Sequence, residues 1–146
     1  MKYITLKQNI MRTIKFRGKD VFTDAWRYGD LVHNKKVTTT GLEPRTMVGG
    51  YEINPETICM YTGFKDEDGN EIYENDIIQC FSTNYTVVWR QELGGFCLQE
   101  NPSLKYSTMR LGVAVSNFSW KIIGNVFDNK AKEGKEYESK IGKEDN

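Results

Sequence analysis

A chain of 146 residues and 16.9 kDa is the size of one ordinary domain, and it needs no disulfide or metal staple, because a chain this long buries ~65–70% of its unfolded surface. Twenty Lys+Arg balance twenty Asp+Glu, and a hydrophobic share of 38% includes seven Phe, eight Tyr and three Trp; that neutrality argues against a dedicated nucleic-acid binder. No apolar run approaches the ~18 residues of a membrane span and no signal-peptide core follows Met1, while one His and three Cys leave little material for metal or nucleophile chemistry.

In chain order, Tyr3-Ile4-Thr5-Leu6 is β-prone but short, and Lys7-Gln8-Asn9 breaks it. Met11 opens M-R-T-I-K-F-R, so residues 1–10 are expected as an extension outside the core. Ile14-Lys15-Phe16-Arg17 alternates apolar and basic residues, as a half-buried strand does. Gly18-Lys19-Asp20 then reads as a turn, with Val21-Phe22-Thr23 continuing the strand. Tyr28-Gly29-Asp30-Leu31-Val32 and Glu74-Asn75-Asp76-Ile77-Ile78 echo each other: a turn residue, an Asp that bonds nearby N–H groups, and two apolar residues entering a strand. That arrangement often opens the first strand of small SH3-like barrels.

Residues 35–50 are rich in Thr and Gly and predict a mobile loop or a wide hairpin. Ile58-Cys59-Met60-Tyr61 reads as a strand, and the connection Lys65–Glu71 as a hairpin whose Asp68-Gly69 supplies the turn. Tyr85–Trp89 and Phe96–Leu98 flank Gly94-Gly95 as a further strand pair, and Gly112–Val115 and Trp120–Phe127 read as later strands. Short helices are expected at most near Asn101–Leu111 or in the C-terminal tail, which from residue 130 is a charged, core-free segment.

Charge is segregated along the chain. Met1–Asp20 has six basic residues against one acidic, and Tyr51–Cys80 has eight acidic against one basic. The two segments either meet separate partners or neutralise each other within the fold. Lys15, Arg17, Lys19 and Arg27 alternate with Phe16, Phe22 and Trp26, a mixture that some small barrels present to single strands. Strand alternation puts Phe16 opposite Lys15 and Arg17, which makes the aromatics core and the cations a solvated edge.

Enzymatic chemistry finds little support. Asp66, Asp68 and Asn70 fall at alternate positions like calcium ligands. The loop register then needs Gly at position six and Glu at twelve, where Glu71 and Ile77 stand. The only imidazole, His33, reads as a surface residue at a strand end, and no phosphate loop occurs. Cys59, Cys80 and Cys97 contain no C-x-x-C pair and read as reduced thiols of a cytoplasmic protein. No cofactor is expected.

Y-T-G-F-K-D-E-D-G-N-E-I-Y-E-N-D-I-I, from Tyr61 to Ile78, resembles the signature of the YopX family of phage and prophage proteins. I-K-F-R at Ile14, V-V-W at Val87, G-F at Gly95 and I-I-G-N-V-F-D-N at Ile122 agree in order, so the resemblance covers Met11 to about Asn129. Asn75 stands where the family usually has Gly, and Asn tolerates the left-handed region best after Gly. The resemblance implies a mainly β domain over residues 11–129, an SH3-like small barrel with added hairpins, and no established activity. Asp30, Gly63, Asp68, Gly69 and Asp76 are expected to shape its turns, with Tyr61 and Tyr73 as structural positions of the motif. The function expected is a non-enzymatic phage accessory protein that binds a phage or host protein and does so as a homo-oligomer, for which unpaired sheet edges are suited. Weak nucleic-acid binding is the alternative.

Overall fold

The computed structural model describes residues 12–101 and 106–128. The expected N-terminal extension (1–10) and charged tail (130–146) lie outside the described residues. The chain divides into two compact units after Gly63. Both are built from short antiparallel strands, so the mainly β class expected from the sequence is what the structure has, and no barrel closes among the described residues.

In the first unit, β1 (Phe16–Lys19) pairs antiparallel with β2 (Trp26–Gly29), Arg17 facing Tyr28 and Lys19 facing Trp26. On its other side β1 meets the start of β6 (Cys59–Lys65), Arg17 facing Cys59. Gly18-Lys19 is strand rather than the expected turn. Both main-chain groups of Lys19 are taken by the 54–57 segment: its N–H donates to Thr57 Oγ1 at 2.8 Å and its carbonyl accepts from the Asn54 N–H at 2.8 Å. Gly18 also leaves the room that Ile53 fills, since a Cβ there would sit 2.7 Å from Ile53 Cδ1. The reversal comes three residues later. The Asp20 carboxylate accepts from the N–H groups of Phe22 (2.8 Å) and Thr23 (3.4 Å), and Asp24 takes φ 62°.

The Thr- and Gly-rich stretch forms a long hairpin of β3 (Leu31–Thr38) and β4 (Gly41–Val48), with β5 (Tyr51–Glu52) on the far side of β4. Gly49 and Gly50, at φ 60° and 87°, make the two-residue turn between β4 and β5, and positive φ at both positions is what such a turn needs.

The second unit centres on a five-stranded sheet in the order β11-β10-β9-β8-β12. These strands span Asp76–Cys80 (β8), Thr83–Arg90 (β9), Gly95–Asn101 (β10), Tyr106–Arg110 (β11) and Lys121–Asn125 (β12). A short β7 (Glu71–Tyr73) returns from the acidic hairpin at the end of β6. One face of the sheet carries Ile78, Val87 and Leu98, which pack with Ile72, Leu111, Ala114 and Trp120 into a buried core. Each such side chain contributes roughly 1.5–3 kcal/mol on leaving water.

Leu111–Asn117, containing the stretch expected as a strand, is a helix, α1. Leu111 and Ala114 lie three apart on one helical face and are buried, Val113 points outward, and the Trp120 indole N–H donates to the Ala114 carbonyl at 2.9 Å. Much of the segment in which a helix was expected, Asn101–Leu111, is instead strand.

Candidate functional site

The acidic connection between β6 and β7 is organised by Asp66, which is only 8% exposed. Its Oδ1 accepts from the N–H groups of Asn70 (2.8 Å) and Asp68 (3.0 Å), and Oδ2 accepts from the Ile122 N–H (3.2 Å) and Asn70 Nδ2 (3.4 Å). Burial pushes this carboxyl upward, but the N–H groups of Asn70, Ile122 and Asp68 outweigh burial and hold it below its ordinary value. Gly69 takes φ 84°, as the expected Asp68-Gly69 turn requires, while Asp68 is exposed and contributes its N–H. Asp66 is the residue that holds the turn, and the calcium comparison was the only reason the sequence singled it out. Among the described residues no group of three or more His, Cys, Asp or Glu is placed to hold a metal ion.

The two Asp residues of the sequence echo part company. Asp76 is 2% exposed, and its Oδ2 accepts from the Tyr73 N–H at 2.7 Å across a turn in which Asn75 has φ 70°. Asp30 is exposed, and it is its main-chain carbonyl that accepts, from the Gly49 N–H at 3.2 Å. Tyr73 and Tyr61 are buried, and Gly63 takes φ 86° at an exposed position.

The four cations of the expected basic edge sit against aromatic rings. The Arg17 guanidinium lies 4.5 Å and Lys19 Nζ 5.3 Å from the centre of the Trp26 ring. The Arg27 guanidinium lies 3.9 Å from the centre of Tyr51, and Lys15 Nζ 5.8 Å from that of Tyr61. Arg17 and Lys19 are only 6% and 8% exposed, so they are not the solvated edge that strand alternation suggests. A desolvated contact of this kind contributes about 2 kcal/mol, which a phosphate must replace before it recruits either residue. Arg27 also bonds Asp20 Oδ2 at 3.0 Å. The Phe22 N–H first, and Arg27 with it, outweigh burial and hold the Asp20 carboxyl below its ordinary value.

The second unit holds a feature that the sequence reading passed over. At the β8–β9 turn an apolar pocket of about 230 Å³ opens between Cys80, Phe81, Tyr85, Leu98, Phe118 and Trp120. Its inner wall is an edge-to-face pair, Tyr85 and Trp120, with centroids 5.5 Å apart and planes at 74°. Phe118 on its lining is half-exposed, and Phe81 is 90% exposed. Phe81 has φ 55°, a left-handed conformation that a bulky residue adopts only at a cost of roughly 1–3 kcal/mol. A two-residue turn of Phe81-Ser82 between two β-rich stretches, without Gly or Asn, is the signal that marks this site in the sequence. The volume is small for a cofactor and suits a single side chain, since a 150 Å³ apolar cavity already accommodates benzene.

His33 lies within β3 rather than at its end, opposite Thr46, whose hydroxyl is 3.3 Å from His33 Nδ1. The three cysteines are free thiols, Cys59 and Cys97 buried and Cys80 partly exposed on the apolar pocket. No helix among the described residues is long and apolar enough to cross a membrane.

Short antiparallel strands, a hairpin locked by a buried carboxylate and an aromatic-rimmed pocket define a mainly β protein whose recognisable features are turns and surfaces. The family model described as YopX protein matches residues 15–131, and the chain belongs to that family. No curated protein matches the chain.

Proposed function

We propose that this chain is a non-enzymatic accessory protein of phage or prophage origin, acting in the cytoplasm of a bacterial host by binding another protein, and that the pocket beside Phe81 receives an apolar side chain of that partner. Phe81 carries the reading: an exposed aromatic held at φ 55° on the rim of a pocket of about 230 Å³. Backbone strain at an exposed bulky residue adds nothing to packing, and such strain concentrates where a protein makes contacts. Membership of the YopX family supports the phage origin. The SH3-like barrel belongs to the same reading, and the short, hairpin-linked antiparallel strands support it. The partner is a phage or host protein, or a second copy of this chain.

The test is capture by tagged protein from host lysate, with and without nuclease, repeated with Phe81→Gly, which removes the ring while suiting the backbone. A protein retained after nuclease by the wild type and lost by the variant is the expected result. Capture that disappears with nuclease favours the alternative, weak nucleic-acid binding, and overturns the reading. So does a purified protein that is monomeric and captures nothing.

A further inference from the structure

β3 is the outer strand of the sheet β3-β4-β5, and among the described residues no strand pairs with its other side. At eight residues it is a long edge, and its register against β4 runs from Leu31–Val48 to Thr38–Gly41 without a bulge. The strand contains no Pro, and Val32 (46% exposed) and Val37 (84% exposed) place β-branched side chains in solvent along it. A long, bulge-free, exposed edge offers a row of main-chain N–H and C=O groups to one more strand. Of the devices that keep such edges unpaired, β3 has charge, in Lys35 and Lys36.

That charge decides what the edge accepts. The pleat sends Lys35 to one face of the hairpin and Asn34 and Lys36 to the other. Lys35 is exposed, stands opposite Pro44 and has no ion pair among the described residues. On the other face Lys36 Nζ lies 3.0 and 3.1 Å from the two Glu52 oxygens, and Arg45 reaches across from β4, its Nε donating to Asn34 Oδ1 at 2.7 Å. This contact carries the Arg45 guanidinium toward the free edge. From Leu31 to Val48 three cations, Lys35, Lys36 and Arg45, stand against one carboxylate, Glu43. A second copy of β3 fits the edge badly, because antiparallel pairing about a two-fold axis at mid-strand sets the Lys35-Lys36 pairs of the two copies against each other. A strand with acidic side chains meets a cation on either face.

We propose that the free edge of β3 binds an extended acidic segment of a partner protein as an added strand. Two adjacent acidic residues of that segment meet Lys35 on one face and Arg45 on the other, and β-branched residues on either side of them lie against Val37 and Val32. The site uses the first unit alone and does not depend on the pocket beside Phe81.

The test is a titration of the purified full chain with the capped peptide Thr-Val-Glu-Glu-Val-Thr, followed by NMR and amide hydrogen exchange, beside the same peptide carrying Lys-Lys in place of Glu-Glu. Saturable binding of the acidic peptide is expected, with slowed exchange at every second amide of β3, those that point away from β4. The Lys-Lys peptide does not bind, and added salt weakens the acidic one. Lys35→Glu weakens binding severalfold, the order expected when an exposed ion pair becomes a like-charge pair. Phe81→Gly leaves binding unchanged. Equal binding of the two peptides, protection confined to strands other than β3, shifts that stay linear with peptide concentration, or loss of binding in Phe81→Gly each overturn the proposal.

Discussion

The Asp66 carboxylate accepts the main-chain N–H of Ile122, 56 positions away, at 3.2 Å. The neighbouring residues do the same in reverse, the Glu67 N–H donating to the Trp120 carbonyl at 2.9 Å. The acidic hairpin is thus fastened to the segment that carries Trp120 into the core and leads into β12. Asp66→Asn keeps the size and removes the charge, and it turns an amide NH₂ toward donors. Loss of about 2–3 kcal/mol is expected, since hydrogen bonds to charged groups contribute roughly 1.5–3 kcal/mol each. Urea unfolding of the two proteins measures it, and equal midpoints would show that the carboxylate does not hold the hairpin.

Asp20 and Asp66 both have carboxyls held below the ordinary value of 3.8. The unfolded chain therefore takes up these protons more readily than the folded one. The stability they contribute is present in full above about pH 5 and is lost as pH falls through the ordinary value and below it. Melting temperature is expected to decline with acidification below that point, and less steeply in Asp66→Asn. An identical slope in the variant would assign acid sensitivity to other groups.

Gly18 and Ile53 occupy each other's space. A Cβ at Gly18 would approach Ile53 Cδ1 to 2.7 Å, so Gly18→Ala is expected to cost about 1–3 kcal/mol through overpacking. Ile53→Val shortens the offending side chain. The double variant is expected to be more stable than the sum of the single changes predicts, the sign of a direct contact in a thermal-melt cycle. Simple additivity would place the cost of Gly18→Ala elsewhere.

Phe81 separates binding from stability. Gly accepts φ 55° without strain, so Phe81→Gly is expected to leave the melting temperature equal or higher while partner capture falls. A lower melting temperature would show that the ring packs in the fold and is not held out for contact.

Cys80, on the pocket lining, is the most accessible of the three thiols. A small alkylating reagent is expected to modify it well before Cys59 and Cys97, and a bound partner to slow that reaction, as peptide mass spectrometry would read. Equal rates at all three positions would indicate global opening rather than access through the pocket.

Most strands were legible because their signals are local. The β-branched and aromatic runs of β8 and β9 mark strands, as does Asp68-Gly69 after β6, where Gly69 supplies the positive φ that a tight turn needs. Asn75, at φ 70°, does what its place in the motif suggests. The misread elements have a common cause. Gly18-Lys19-Asp20 has the composition of a turn, yet Lys19 finds main-chain partners at residues 54–57 and stays extended. Leu111–Asn117 has the Val and Gly of a strand, yet Trp120 and the core reward the helical spacing of Leu111 and Ala114.

By itself the sequence determined the mainly β class of the protein, its family and the turns at Asp68-Gly69 and Asn75, because β-propensity and left-handed backbone preferences act over a few residues. Tertiary structure alone decided which Asp is buried, which cations lie on aromatic rings, and where the apolar pocket opens. Asp30 and Asp76 share one local pattern and differ in burial. The pocket beside Phe81 gathers side chains from Cys80 to Trp120. Burial and convergence depend on contacts between distant residues, and no short pattern along the chain encodes them.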